Sequence, residues 1–97
     1  MSYLFEFTVP GDERLYARVK AEIGEEQPKG LIVHLIHKSE GGLRHIGLWE
    51  SREDWERFRD ERLEPGLMRV FGVADVTGLP PRPEERELAL VDAMRAG

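Results

Sequence analysis

Ninety-seven residues, 40% hydrophobic and 34% charged, make one domain of ordinary soluble composition. A net charge of −5 argues against a nucleic-acid or anionic-membrane partner, which needs a basic face, and no apolar run approaches the roughly 20 residues that cross a bilayer. The chain has no cysteine, which removes disulfides, thiolate nucleophiles, iron–sulfur clusters and cysteine zinc sites.

The N-terminus, MSYLFEFTV, has neither a basic region nor a small-residue cleavage site, so the expected location is the cytoplasm. Ser2 to Val9 alternates imperfectly and reads as a strand with a buried face. Pro10-Gly11-Asp12 breaks it, and Asp12 is placed to cap a helix in which Leu15, Tyr16, Val19 and Ile23 recur on one stripe. Gly24 is its expected stop. Leu31 to Lys38 is a second strand, rich in Ile, Val and Leu. Glu40-Gly41-Gly42 supplies the turn, because glycine takes the positive φ that hairpin turns require. Leu43 to Glu50 runs back. Ser51, with Asp54 three residues later, opens a helix that turns Trp55, Phe58 and Leu63 inward. Its outer side is a solvated charged face with pairs such as Glu53 and Arg57 at i,i+4.

Pro65-Gly66 interrupts that helix, and Leu67 to Phe71 reads as a second short piece. Gly72 to Gly78 reads as a last strand. Residues 1–78 are then one domain. Residues 79–97 are a stiff Pro-rich linker followed by a C-terminal helix over 84–96, with Leu88, Val91 and Met94 as its stripe. The order βαββαβ predicts an α+β, ferredoxin-like sandwich: an antiparallel sheet with helices on one face.

A turn centred on Glu40-Gly41 places Lys38 opposite Leu43, Ile36 opposite His45, His34 opposite Gly47 and Ile32 opposite Trp49. Side chains alternate between faces. Ile32, His34, Ile36, His45 and Trp49 therefore share one face, and Val33, Leu35, Ile46 and Leu48 share the other. Both faces are apolar, where a hairpin with one wet face alternates with polar residues. The chain's own helices can cover one; the other needs a partner. In so short a domain, self-association is a natural way to complete the core.

His34 and His45 stand diagonally on the first face, roughly 7–8 Å apart, beside the space left by Gly47. Histidine titrates near physiological pH, so either is a candidate catalytic base. Trp49 offers a flat wall, and Tyr16 offers a hydroxyl. Phe58, Ile32 and Ile36 complete the expected substrate-binding set. The same histidines also read as hydrogen-bonded, inert core residues. A metal shared with Glu6 or another carboxylate is a third reading, but no HxH or HExxH spacing is present, and the expected metal set is empty. His37, on the other face beside Arg44, is expected in solvent or at a dimer edge.

The segment GLIVHLIHKSEGGLRHIGLWESREDWERFRDERL resembles the dimeric α/β-barrel superfamily, in particular its antibiotic biosynthesis monooxygenase-like branch. The matching features are Gly30 opening the second strand, the Gly41-Gly42 turn and Trp49-Glu50-Ser51 at the end of the third strand. Trp55, Phe58 and Leu63 before Pro65 match as well. The likeness runs over residues 3 to 78. It implies a homodimer made by packing the exposed sheet faces together, which would cover Val33, Leu35, Ile46 and Leu48. It also implies a pocket between sheet and helices for a small apolar or aromatic ligand. Some members of the family oxidise phenolic or quinol compounds with molecular oxygen and no metal or flavin, and His34 or His45 would then be the base that lets the substrate anion reduce oxygen. The haem-degrading branch is disfavoured. Its second tryptophan and its histidine ligand fall on Phe58 and Met68 here, and the chain has no asparagine for its first strand. The expectation is a small-molecule-binding dimer acting as a cofactor-independent monooxygenase; the alternative is a binding or structural dimer without turnover.

Overall fold

The computed structural model describes residues 2–94. Strand β1 (Tyr3–Val9) leads into helix α1 (Glu13–Ile23), followed by β2 (Leu31–Ser39) and β3 (Gly42–Trp49). Helix α2 (Arg52–Phe58) continues through a π-helical turn (Arg59–Leu63) into α3 (Glu64–Phe71). A 3₁₀ turn (Val76–Gly78) and a two-residue strand β4 (Arg86–Glu87) follow. The strands lie in the order β2-β3-β1-β4 with every neighbouring pair antiparallel, the order of a ferredoxin-like sheet. No helix among the described residues is long and apolar enough to cross a membrane.

Local chemistry sets the first two thirds of the chain. The Asp12 carboxylate accepts from the amides of Arg14 and Leu15 at 3.0 Å and caps α1, and Gly24 ends it at φ 86°. Ser51 Oγ accepts from the Asp54 amide at 3.1 Å and caps α2. Gly41 and Gly42 hold φ of 89° and 140° in the hairpin turn. A Cβ on Gly42 would collide with the Val9 carbonyl. The register pairs Lys38 with Leu43, Ile36 with His45 and His34 with Gly47, as expected. A bulge between Leu31 and Val33 then sets Leu31, not Ile32, opposite Trp49.

Alternation sorts the sheet into two faces. Tyr3, Phe5, Phe7, Trp49 and Trp55 form the buried cluster between sheet and helices, with Val9, Leu31, Phe58 and Leu63 packed against it. The rings pack closely at a tilt: Phe5 against Trp55 at 4.7 Å and Trp49 against Phe58 at 5.4 Å between centroids. On the opposite face Leu48 is buried, while Val33 and Leu35 remain 41% and 56% exposed.

Four expectations are corrected. The helix does not break at Pro65-Gly66. A proline inside a helix lacks an amide donor and crowds the preceding turn. Here the π-helical turn comes just before it, with the Glu64 amide donating to the Arg59 carbonyl, and Pro65 falls in the first turn of α3. The expected strand over Gly72 to Gly78 is a loop containing the 3₁₀ turn. The expected helix over 84–96 is absent from 84–94, and residues 95 and 96 lie outside the described residues. A lone helix of that length is marginal. The free edge of β1 instead takes residues 86 and 87 as β4, and the Leu88 amide donates to the Leu4 carbonyl at 2.8 Å. Arg57 pairs with Asp54 at 3.0 Å, one residue nearer in the chain than Glu53.

Candidate functional site

The core face of the hairpin carries two imidazoles that meet. His34 comes from β2 and His45 from β3, diagonal across the ladder, with His34 directly opposite Gly47. A Cβ on Gly47 would lie 2.7 Å from the Phe5 ring and 3.1 Å from His34 Nδ1, so this glycine makes room for the pair. His34 Nε2 and His45 Nδ1 are 2.9 Å apart, a direct hydrogen bond closer than the diagonal spacing alone implies. Aromatic rings fix both imidazoles. Phe7 stacks on His45 with centroids 4.6 Å apart and planes 11° from parallel, Tyr16 from α1 meets its edge at 6.1 Å, and Trp55 faces His34 at 6.5 Å.

Burial sets the charge. It pushes His34 down to about 4. Burial, helped by repulsion from His34, does the same to His45. Both rings are therefore neutral at pH 7. Each then has one N–H and one bare nitrogen, and one of each is used between them.

The pair lies in the wall of a cavity of about 1030 Å³ between sheet and helices. Of the expected site residues, His34, His45, Trp49, Tyr16, Phe58 and Ile32 line it, and Ile36 does not. Ile36 sits opposite His45 nearer the turn. Trp49 is 1% exposed, and its indole N–H has no hydrogen-bond partner among the described residues. That leaves a buried donor without an acceptor. Among the described residues no cluster of three His, Cys, Asp or Glu side chains is close enough to hold a metal ion.

One part of the site gave no sign in the sequence. Residues 79–83, expected as a stiff linker, run back along the helices and form cavity wall. Two clamps hold this segment. Arg82 donates twice to Glu64, at 2.7 and 2.8 Å, and Glu64 is only 7% exposed. Glu85 accepts from the Trp55 indole N–H at 3.1 Å and from the Tyr3 hydroxyl at 3.5 Å, with Arg59 3.9 Å away. Glu64 directly follows the π-helical turn and Asp60 lies within it, a distortion often found at functional sites. An arginine between prolines hinted at rigidity; nothing in the pattern named its partner.

No family model matches the chain. It is similar to two curated proteins named endoribonuclease YbeY from Stenotrophomonas maltophilia, at 33% and 31% identity over 70 residues, which cover 72% of this chain and 44% of each relative. The chain thus spans less than half the length of the curated relatives it matches. Among solved structures it is similar to SnoaB, a cofactor-independent oxygenase from Streptomyces nogalater, at 15% identity and a TM-score of 0.53, covering 95% of this chain and 93% of that one. It is also similar to Rv0793 from Mycobacterium tuberculosis, at 19% identity and a TM-score of 0.57, covering 95% of both chains. The fold is that of the antibiotic biosynthesis monooxygenase-like, dimeric α/β-barrel proteins.

Proposed function

We propose that the cavity binds a flat, uncharged aromatic compound of the phenol, quinol or anthrone class, and that the protein oxidises it with molecular oxygen and no cofactor. The observation that carries this reading is the neutral, hydrogen-bonded pair His34–His45 in the wall of an aromatic cavity. Trp49, Phe58 and Tyr16 give such a molecule flat surfaces, and Ile32 gives it an apolar one. A neutral imidazole pair can exchange a proton with a substrate oxygen without first losing one to water. The chemistry needs no outside reductant. A ring CH₂ and one O₂ become a ring C=O and one water, with the substrate's own electrons reducing the oxygen. The oxygenase fold of SnoaB supports this direction. The working form we propose is a cytoplasmic homodimer closed through the sheet face bearing Val33 and Leu35.

A second reading, RNA cleavage, is favoured by the 33% identity to endoribonuclease YbeY. Against it, a net charge of −5 gives a phosphate backbone little to hold. Incubation with labelled RNA distinguishes the two.

The direct test is thermal stability of the wild type and of His34→Leu against quinols, anthrones, haem and apolar acids. A ligand held only by the folded state stabilises it by roughly 2.7 kcal/mol at a hundredfold excess over Kd. The expected result is a shift with one aromatic class in the wild type and its loss in His34→Leu. A shift that survives His34→Leu makes this a binding protein whose histidines are inert. No shift with any class makes it a structural dimer.

A further inference from the structure

One wall of the cavity is fastened differently from the rest. Residues 79–85 join the 3₁₀ turn to β4, and all of them except Glu84 line the cavity. Pro80, Pro81 and Pro83 have no amide donor, and their rings fix φ, so the stretch is stiff. Among the described residues no backbone hydrogen bond ties residues 80–85 to the rest of the fold. Two other loops reach the cavity, residues 10–12 and 24–28, and backbone bonds hold both. The Tyr16 amide donates to the Asp12 carbonyl at 3.1 Å, the Gly24 amide to Lys20 at 3.0 Å and the Leu31 amide to Pro28 at 3.3 Å.

Among the described residues, two side chains make the hydrogen bonds of 79–85. Arg82 donates to Glu64, and Glu85 accepts from the Trp55 indole N–H and from the Tyr3 hydroxyl. The Arg82 side chain is 56% exposed, and an ion pair so open to solvent is weakly held. When the stretch lifts, water can reach both the Glu64 carboxylate and the Trp55 N–H, so neither is left unsatisfied. Opening here costs far less than unfolding, because the sheet and its aromatic cluster stay in place.

We propose that residues 79–85 are a strap that opens as a stiff unit to pass ligands into and out of the cavity, with Arg82 and Glu64 as its latch. The ligand's passage rests on the function proposed above, whereas the opening of the strap is a property of the free protein.

The Trp55 indole N–H reports the opening directly, because its acceptor, Glu85, lies on the strap. Its hydrogen exchange is measured by ¹H–¹⁵N spectra of the ligand-free full chain in increasing, sub-denaturing urea. In the wild type it is expected to exchange faster than the amides of β2 and β3, at a rate nearly independent of urea, as a local opening does. In Arg82→Ala it is expected to exchange roughly five- to thirtyfold faster, still independent of urea. Exchange that rises with urea as steeply as that of the hairpin amides, or an unchanged rate in Arg82→Ala, overturns the proposal. Binding of 1,8-dihydroxyanthraquinone, followed by quenching of tryptophan fluorescence in a stopped-flow mixer, tests the passage. Association and dissociation are both expected to quicken in Arg82→Ala by a similar factor, so that Kd changes less than either rate. Equal rates in the two proteins overturn the gating role. If the quinone does not bind, the aromatic-ligand reading and the gating role fall together, while the indole exchange still decides whether the strap opens.

Discussion

The β2–β3 hairpin and the segment from residue 72 to 94 are both short and both line the cavity, yet different forces shape them. In the hairpin, glycines at the turn, apolar alternation and a glycine beneath the histidines all act within a few residues of where they sit. The C-terminal segment takes its path from partners far away in sequence: Arg82 from Glu64, Glu85 from Trp55 and Tyr3, and β4 from the open edge of β1. Locally determined structure stands by itself, and remotely determined structure depends on each clamp. Measurements that disturb one region and read the other can break or sharpen this contrast.

The largest effect is expected from acid in the hairpin. His34 has a folded-state pKa of about 4, below its ordinary 6.5. Between these values the unfolded chain binds more protons than the folded one, so stability is complete above pH 6.5 and falls as pH drops toward 4. The expected loss is about 3 kcal/mol from His34. It is measured as the difference between urea unfolding at pH 7 and near pH 4, in the wild type and in His34→Phe. The variant should lose clearly less across this window. An equal loss would place the acid sensitivity elsewhere.

Gly47→Ala comes next. The new methyl group must displace the Phe5 ring or His34, so a cost of about 2 kcal/mol is expected, together with separation of the two imidazoles. A neutral Gly47→Ala would mean that the hairpin tolerates a different packing of the pair.

This is also where the sequence was most informative. The register from Lys38 to Gly47, the shared face of His34 and His45 and the role of Gly47 follow from alternation and turn chemistry, which are local. The register at Ile32 did not follow, because a bulge leaves no mark in composition. Continuation of the helix through Pro65 was hidden because the π-helical turn that permits it is a property of the backbone ladder. The helix expected over 84–96 rested on a modest apolar stripe. The edge of β1 and the Trp55 indole N–H won that segment, and no periodicity within it could report on either.

A smaller effect, confined to the other region, is expected from Arg82→Ala. It removes both donors from the nearly buried Glu64 carboxylate, at a cost of about 1–2 kcal/mol once the half-exposure of Arg82 is allowed for. Hydrogen exchange should show the Leu88 amide, bonded to Leu4, losing protection while the amides of β2 and β3 keep theirs. Loss of protection in the hairpin as well would show that the two regions unfold together.

The smallest effect belongs to Lys38→Ala. Its ammonium group lies 2.7 Å from Glu13, but both side chains are largely in solvent. Exposed pairs contribute little. No measurable change in the unfolding midpoint is expected, and a clear loss would show that the hairpin needs α1 to hold its turn.

Oxygen consumption with an anthrone, for the wild type and His45→Phe without added metal or flavin, tests the central claim most directly. The account predicts one O₂ consumed per anthrone converted to quinone by the wild type, and a rate reduced to that of buffer in His45→Phe. Equal rates in the two proteins, or no uptake above buffer in either, would contradict it.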